Sequence, residues 1–138
     1  MNDLSEIQEL FSHQNLAVLA THQDGEPHTF LVAFAEAEGL RHMLFATYRQ
    51  IRKSPIVALL VDNRSNRPSD FQKGLAVTGK GSAHEVGGSE RVRFATLYLK
   101  KHPALREFVE SKETALIRVD IEEYKVAGFQ AVKTLRPA

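Results

Sequence analysis

Residues 16–35 read LAVLATHQDGEPHTFLVAFA. Two apolar runs, 16–21 and 28–35, flank Asp24-Gly25, a dipeptide that readily takes the positive φ angles of a tight hairpin turn. The spacing predicts an antiparallel hairpin. Downstream, EAEG (36–39) turns the chain into LRHMLFAT (40–47). IVALLVD (56–62) is apolar on both faces, which predicts a strand covered on both sides. Upstream, Leu4, Ile7, Leu10 and Phe11 recur at helical spacing over a Ser5-x-x-Gln8 capping-box pattern, so a short amphipathic helix opens the chain.

Beyond the fourth strand, NRSNRPSDFQKG (63–74) is a polar, turn-rich loop. LAVTGKGSAHEV (75–86) follows as a fifth strand, with Gly79 and Gly81 marking a bulge or a close backbone approach. Gly87-Gly88 ends it, Ser89 caps a helix whose apolar positions are Val92, Phe94, Ala95, Leu97 and Leu99, and Pro103 opens a second helical piece. TALIRVDIEEYKVAGFQAV (114–132) reads as one long or bent strand. Strands joined by short links, with helices only at the start and before the last strand, predict a mainly β protein. The expected form is a six-stranded antiparallel barrel, a single domain over residues 1–138.

Composition narrows the function. Of the 138 residues, 43% are hydrophobic and 25% charged, which fits an ordinary globular chain. A net charge of +1 lacks the footprint of a nucleic-acid partner. The absence of cysteine excludes disulfides and thiolate chemistry. No apolar run approaches the roughly 18 residues of a membrane span, and MNDLSEIQELF lacks the basic run of a secretory signal, so a cytoplasmic protein without a membrane partner is expected. The histidines at 13, 22, 28, 42, 84 and 102 show no metal-ligand spacing, and no metal is expected. Ser82 and His84, with Asp62 or Asp120, can be assembled into a triad on paper, but no nucleophile elbow surrounds them.

FATYRQIRKSP (45–55) carries the most chemistry. If residues 48–54 form a helical turn, Arg49, Arg52 and Lys53 stand at i, i+3 and i+4 and share one face. Cations at a helix start repel one another and the free N–H groups unless an anion arrives. A phosphate would take guanidinium hydrogen bonds, the Lys53 charge and the Thr47 hydroxyl. A solvated basic turn is the other reading, and the segment alone leaves both open. In the loop 62–71, Asp62, Arg64, Arg67 and Asp70 either pair and order it over a cofactor or leave a mobile connection.

DGEPHTFLVAFA, HMLFATYRQIRK and VALLVDNR resemble, in order and spacing, the flavin mononucleotide (FMN)-binding split-barrel family of pyridoxamine 5′-phosphate oxidase-like proteins. The resemblance covers residues 5–86 well and the rest more loosely. Its most specific part is Thr47 followed by Arg52-Lys53. It implies a Greek-key split barrel that forms a homodimer and holds FMN non-covalently at the subunit interface. The phosphate would meet Ala46, Thr47, Arg49, Arg52 and Lys53. The strand Phe30, Leu31, Val32, Ala33, Phe34, Ala35 would line the isoalloxazine with backbone groups, those of Val32 to Phe34 tuning the ring. Phe71 and Gln72 would reach a flavin bound by the second subunit.

The implied activity is an oxidoreductase that passes hydride or electrons between a small-molecule substrate and an acceptor. Vitamin B6 oxidases of this family open the flavin strand with Arg and close it with Lys, where this chain has Phe30 and Ala35. It also has no Trp and no C-terminal Arg-x-His element, which points away from pyridoxamine phosphate as substrate. KKHPALREFVES and the later GFQAV resemble the haem-handling branch of the superfamily, whose axial ligand would be His13, His84 or His102. A non-catalytic ligand-binding dimer is the remaining alternative.

Overall fold

The computed structural model describes residues 3–49, 55–129 and 131–137. Helix α1 (Asp3–His13) leads into β1 (Leu16–Gln23) and β2 (Glu26–Ala37), then β3 (His42–Tyr48) and β4 (Ile56–Asp62). A one-turn helix α2 (Asp70–Lys73) precedes β5 (Ala76–Glu85). Helix α3 (Gly88–Lys101), a 3₁₀ turn (Pro103–Leu105) and α4 (Arg106–Glu110) separate β5 from β6 (Thr114–Ala127) and β7 (Val132–Leu135).

The strands run β3-β2-β1-β4-β5-β6, all neighbours antiparallel, and a β3–β6 ladder closes the ring. This is the expected six-stranded barrel. Because β4 returns to lie beside β1, the spatial order 4-1-2-3 is a Greek key. At the opening hairpin Gln23 pairs with Glu26 across Asp24 (φ 52°) and Gly25 (φ 81°), the two positive angles of a primed turn.

Alternation sorts each strand into an inner and an outer face. Leu19, Phe34, Phe45, Leu59, Val77, Val119 and Tyr124 fill the barrel, and Ile7, Leu10 and Phe11 of α1 join that core. A second core lies outside the wall. There Phe94, Tyr98 and Leu99 of α3 pack on Ala35, Ala37, Leu44, Ala46 and Leu116, the alanines letting the helix come close to the strands.

The Gly79/Gly81 expectation holds. The β5–β6 register shifts between Lys80 and Gly81, and a Cβ at Gly81 would stand 1.9 Å from the Asp120 carbonyl oxygen. Other expectations shift. The segment 114–132 is two strands rather than one: β6 ends at Ala127, the Gly128 N–H donates to Ala131 O at 2.9 Å, and β7 folds back on β6. Ser5 lies inside α1, and Gly87 rather than Ser89 is the cap of α3, shifts of a size common at helix ends. In β4 only Val57, Leu59 and Val61 are buried, while Ile56 is 49% exposed and Ala58 and Leu60 are half-buried, so one apolar face of the strand stays open.

Candidate functional site

The site begins where β2 and β3 part. Their ladder runs from Ala37–His42 to Phe34–Phe45 and goes no further, although both strands continue. Hydrogen-bonding direction alternates along β2. The Phe34 N–H donates to Asn15 O at 3.2 Å, and the hairpin closes at Gln23–Glu26, so Phe30, Val32 and Phe34 turn their backbone groups to β1. Leu31, Ala33 and Ala35 turn theirs to the β3 side. The next rung would join Ala33 to Ala46.

The Tyr98 hydroxyl occupies that rung. It donates to Ala33 O at 2.9 Å and takes a hydrogen bond from the Ala46 backbone. Burial pushes its phenol up to about 12, against the opposing pull of the Ala46 bond. One turn later His102 is buried with Nε2 2.7 Å from Phe34 O, and because a carbonyl only accepts, Nε2 carries the hydrogen. Tyr98 carries no signal in the sequence, and His102, named above only as an axial-ligand candidate, bonds a backbone carbonyl here instead. Their i, i+4 spacing was visible, but their partners are backbone carbonyls that no side-chain pattern announces.

Beyond the wedge the cleft opens between Phe30–Ala33 and Thr47–Arg49. Leu31 is 68% exposed, Phe30 37%, and Val32, Ala33 and Thr47 are half-buried. Phe34 lies in the barrel core, edge-on to Phe11 at 5.2 Å, and Ala35 and Ala46 are covered by the α3 layer, so these three can offer only backbone. Within Val32 to Phe34 the N–H groups of Val32 and Phe34 face β1, while Ala33, like Leu31, turns its backbone to the β3 side.

Arg49 is engaged elsewhere. Its guanidinium pairs with Glu85, Nε donates to Lys112 O at 3.0 Å, and its backbone N–H donates to Glu113 O at 2.8 Å. Arg52 and Lys53 lie outside the described residues. Phe71 and Gln72 stand on α2, past the far end of β4, roughly 20 Å along that strand from the Thr47 end. There Phe71 meets Phe129 edge-to-face at 5.4 Å, at a cavity of about 790 Å³ that Arg64 and Arg67 also line. The loop is ordered, but not by the alternating ion pairs expected of it. Arg64 does bind Asp62, at 2.6 Å. Asp70 instead accepts from the Ser65 hydroxyl at 2.7 Å and from the N–H groups of Ser65 and Asn66; these bonds, the hydroxyl's foremost, hold its carboxyl below the usual range.

The paper triad does meet in space, without the geometry of one. Ser82 Oγ lies 3.3 Å from His84 Nε2 and Asp120 Oδ2 lies 3.4 Å from the same nitrogen, whereas a relay needs the two partners on opposite ring nitrogens. Asp120 belongs to a surface network that joins it to Arg118 at 2.7 Å and to His42 at 2.9 Å. Among the described residues no group of three His, Asp or Glu is placed to hold a metal ion.

A family model described as pyridoxamine 5′-phosphate oxidase matches residues 4–127. A haem-binding protein from Mycobacterium smegmatis has the same fold with a TM-score of 0.85 at 14% identity, over 99% of this chain and 58% of that one. General stress protein 26 from Bacillus anthracis gives a TM-score of 0.71 at 20% identity, over 99% of both chains. A protein related to general stress protein 26, of the pyridoxinephosphate oxidase family, from Clostridium acetobutylicum gives 0.72 at 13% identity, over 96% of this chain and 93% of that one. At such identities the likeness is one of fold. This chain spans just over half the length of the mycobacterial protein. No curated protein matches it.

Proposed function

We propose, for a chain that belongs to the pyridoxamine 5′-phosphate oxidase-like family, that it binds FMN non-covalently at a homodimer interface and serves as an oxidoreductase on a substrate other than pyridoxamine phosphate. The observation that carries this is the parting of β2 and β3 beyond Phe34–Phe45, with the Tyr98 hydroxyl on the next rung, the Leu31 backbone turned to the β3 side, and Thr47 on the β3 strand. The residues present fit the group. Exposed Phe30 offers apolar surface for a ring on one face of β2 and exposed Leu31 on the other, the Leu31 backbone offers polar groups at its edge, and Thr47 would stand at the phosphate end. Arg52 and Lys53 follow it in the sequence as the phosphate's cations. When bound, the flavin supplies the hydride and electron chemistry, and the protein's share is binding, orientation and exclusion of water. Glu85 holds Arg49, so Arg49 joins the phosphate only by leaving that carboxylate.

The homodimer is supported by the open outer face of the wall. Val18 stands opposite both Leu31 and Leu60, and Leu16, 52% exposed, and Ile56 extend the patch. Strands apolar on both faces are covered on both, and a second copy would supply the second cover. In such a dimer Phe71 and Gln72 would be brought to the other subunit's flavin.

The test is absorption of the purified protein with added FMN, compared with an Arg52→Ala/Lys53→Ala variant. The wild type should show two flavin bands and the variant should lose them while keeping its circular dichroism; equal flavin affinity in both would refute the clamp. The haem reading is supported by what the mycobacterial protein binds, and it predicts a Soret band. His102 is a poor axial ligand for it, with Nε2 committed to Phe34 O, and His84 Nε2 is shared between Ser82 and Asp120. Binding of neither cofactor would leave the non-catalytic dimer.

A further inference from the structure

We propose that the groove between α3 and α4 is a binding site for a small organic anion, a carboxylate or phosphate monoester carried on an apolar body. The groove holds about 480 Å³, within the span of small-molecule sites. Arg91, Lys100 and Arg106 line it against a single carboxylate, Glu110, and Val92, Ala95 and Leu99 supply apolar wall.

Arg91 carries the argument. Its Nη2 donates to Val109 O at 2.6 Å, which ties α3 to α4, but its Nη1 is buried with no hydrogen-bond partner. A charged donor closed off from water and left without an acceptor is costly, and native structures rarely tolerate one without a bound ion or water. The remaining groups leave the acceptor to an outside molecule. Glu110 is drawn to Arg106 at 3.4 Å, the Thr96 hydroxyl donates to Val92 O at 2.8 Å, and Lys100 has no ion pair among the described residues. An oxyanion entering beside Lys100 and Arg106 meets Nη1 after a small turn of the guanidinium about its Val109 bond, and two further cations share its charge. Val92, 67% exposed at the groove, is where an apolar tail loses water.

The site is separate from the β2–β3 cleft and does not rest on the flavin reading. The experiment titrates the full chain with sodium octanoate and with octyl phosphate by calorimetry, following the amide resonances of α3 and α4. Octanol and inorganic phosphate are the controls. At least one amphiphilic anion should bind saturably, tighter than about 1 mM, with shifts centred on Arg91, Lys100 and Arg106. The better of the two fixes the head group. Lys100→Gln/Arg106→Gln, which changes exposed positions only, should weaken binding about tenfold with the melting temperature unchanged. No saturable binding overturns the proposal. So does octanol binding equally well, inorganic phosphate binding as tightly, which means an adventitious ion only, or shifts that fall elsewhere.

Discussion

Replacing Tyr98 with Phe removes one oxygen and leaves the ring. The phenyl group still fills the gap between β2 and β3, so the Ala33–Ala46 rung stays open while both backbone groups lose their partner. Each buried group left unsatisfied costs roughly 1–3 kcal/mol, so the variant, with two, should lose about 2–6 kcal/mol. For 138 residues the unfolding entropy is about 0.29 kcal/mol per degree, which makes the expected drop in melting temperature roughly 7–20 °C. Urea denaturation followed by circular dichroism measures the first quantity, and hydrogen exchange at the Ala46 amide, which should quicken, locates it. The wild type carries a second signature. Its folded phenol titrates near 12 and an unfolded one near 10, so the Tyr98 contribution is complete below about pH 10 and falls away as pH rises towards 12. Tyr98→Phe should lack that part of the alkaline loss. A stability loss below about 0.5 kcal/mol with Ala46 exchange unchanged would refute the wedge.

Two more predictions test other parts of the wall. Gly81→Ala places a Cβ 1.9 Å from the Asp120 carbonyl oxygen and should cost more than about 3 kcal/mol, whereas Gly25→Ala, strained at φ 81° but facing open space, should cost about 1 kcal/mol. Equal denaturation midpoints for the two would contradict the close β5–β6 approach. Lys101 is lowered to about 8 by burial, opposed by the Glu36 charge, and its ammonium sits over the Phe34 ring at 3.9 Å. Because its folded pKa lies below the unfolded one, the unfolded chain binds more protons between about pH 8 and 10, and stability should rise with pH across that window. Urea midpoints of the wild type should climb there relative to Lys101→Met; parallel profiles would remove Lys101 as the cause.

The barrel was legible because its hairpin, its bulge and its helices each carry a local signal. Asp24-Gly25 fixes the turn and hence the β1–β2 register, and Gly81 stands where only a missing Cβ fits. The Gly128 turn that detaches β7 carries no such signal, because the apolar run continues across it. The site was legible by its chain segments and less so by its atoms. Alternation along β2 decides which N–H groups face the cleft, and that phase depends on the contact of Phe34 with Asn15, outside any motif. Arg49 looked like part of a cationic trio, but Glu85, distant in sequence, holds it. The open face of β4 is apolar like its buried one, so no alternation in the sequence marks it as open. What covers it is a property of two chains rather than one.

Tyr98 and His102 bond successive carbonyls of β2, and successive carbonyls of a strand point in opposite directions. One helix therefore grips the strand from both edges. The strand can neither slide by a residue nor roll about its axis without breaking one of the two bonds. Any molecule resting on Phe30–Ala33 meets a rail and not a hinge, so recognition there works by selecting what fits a preset spacing, and adaptation must come from the bound molecule.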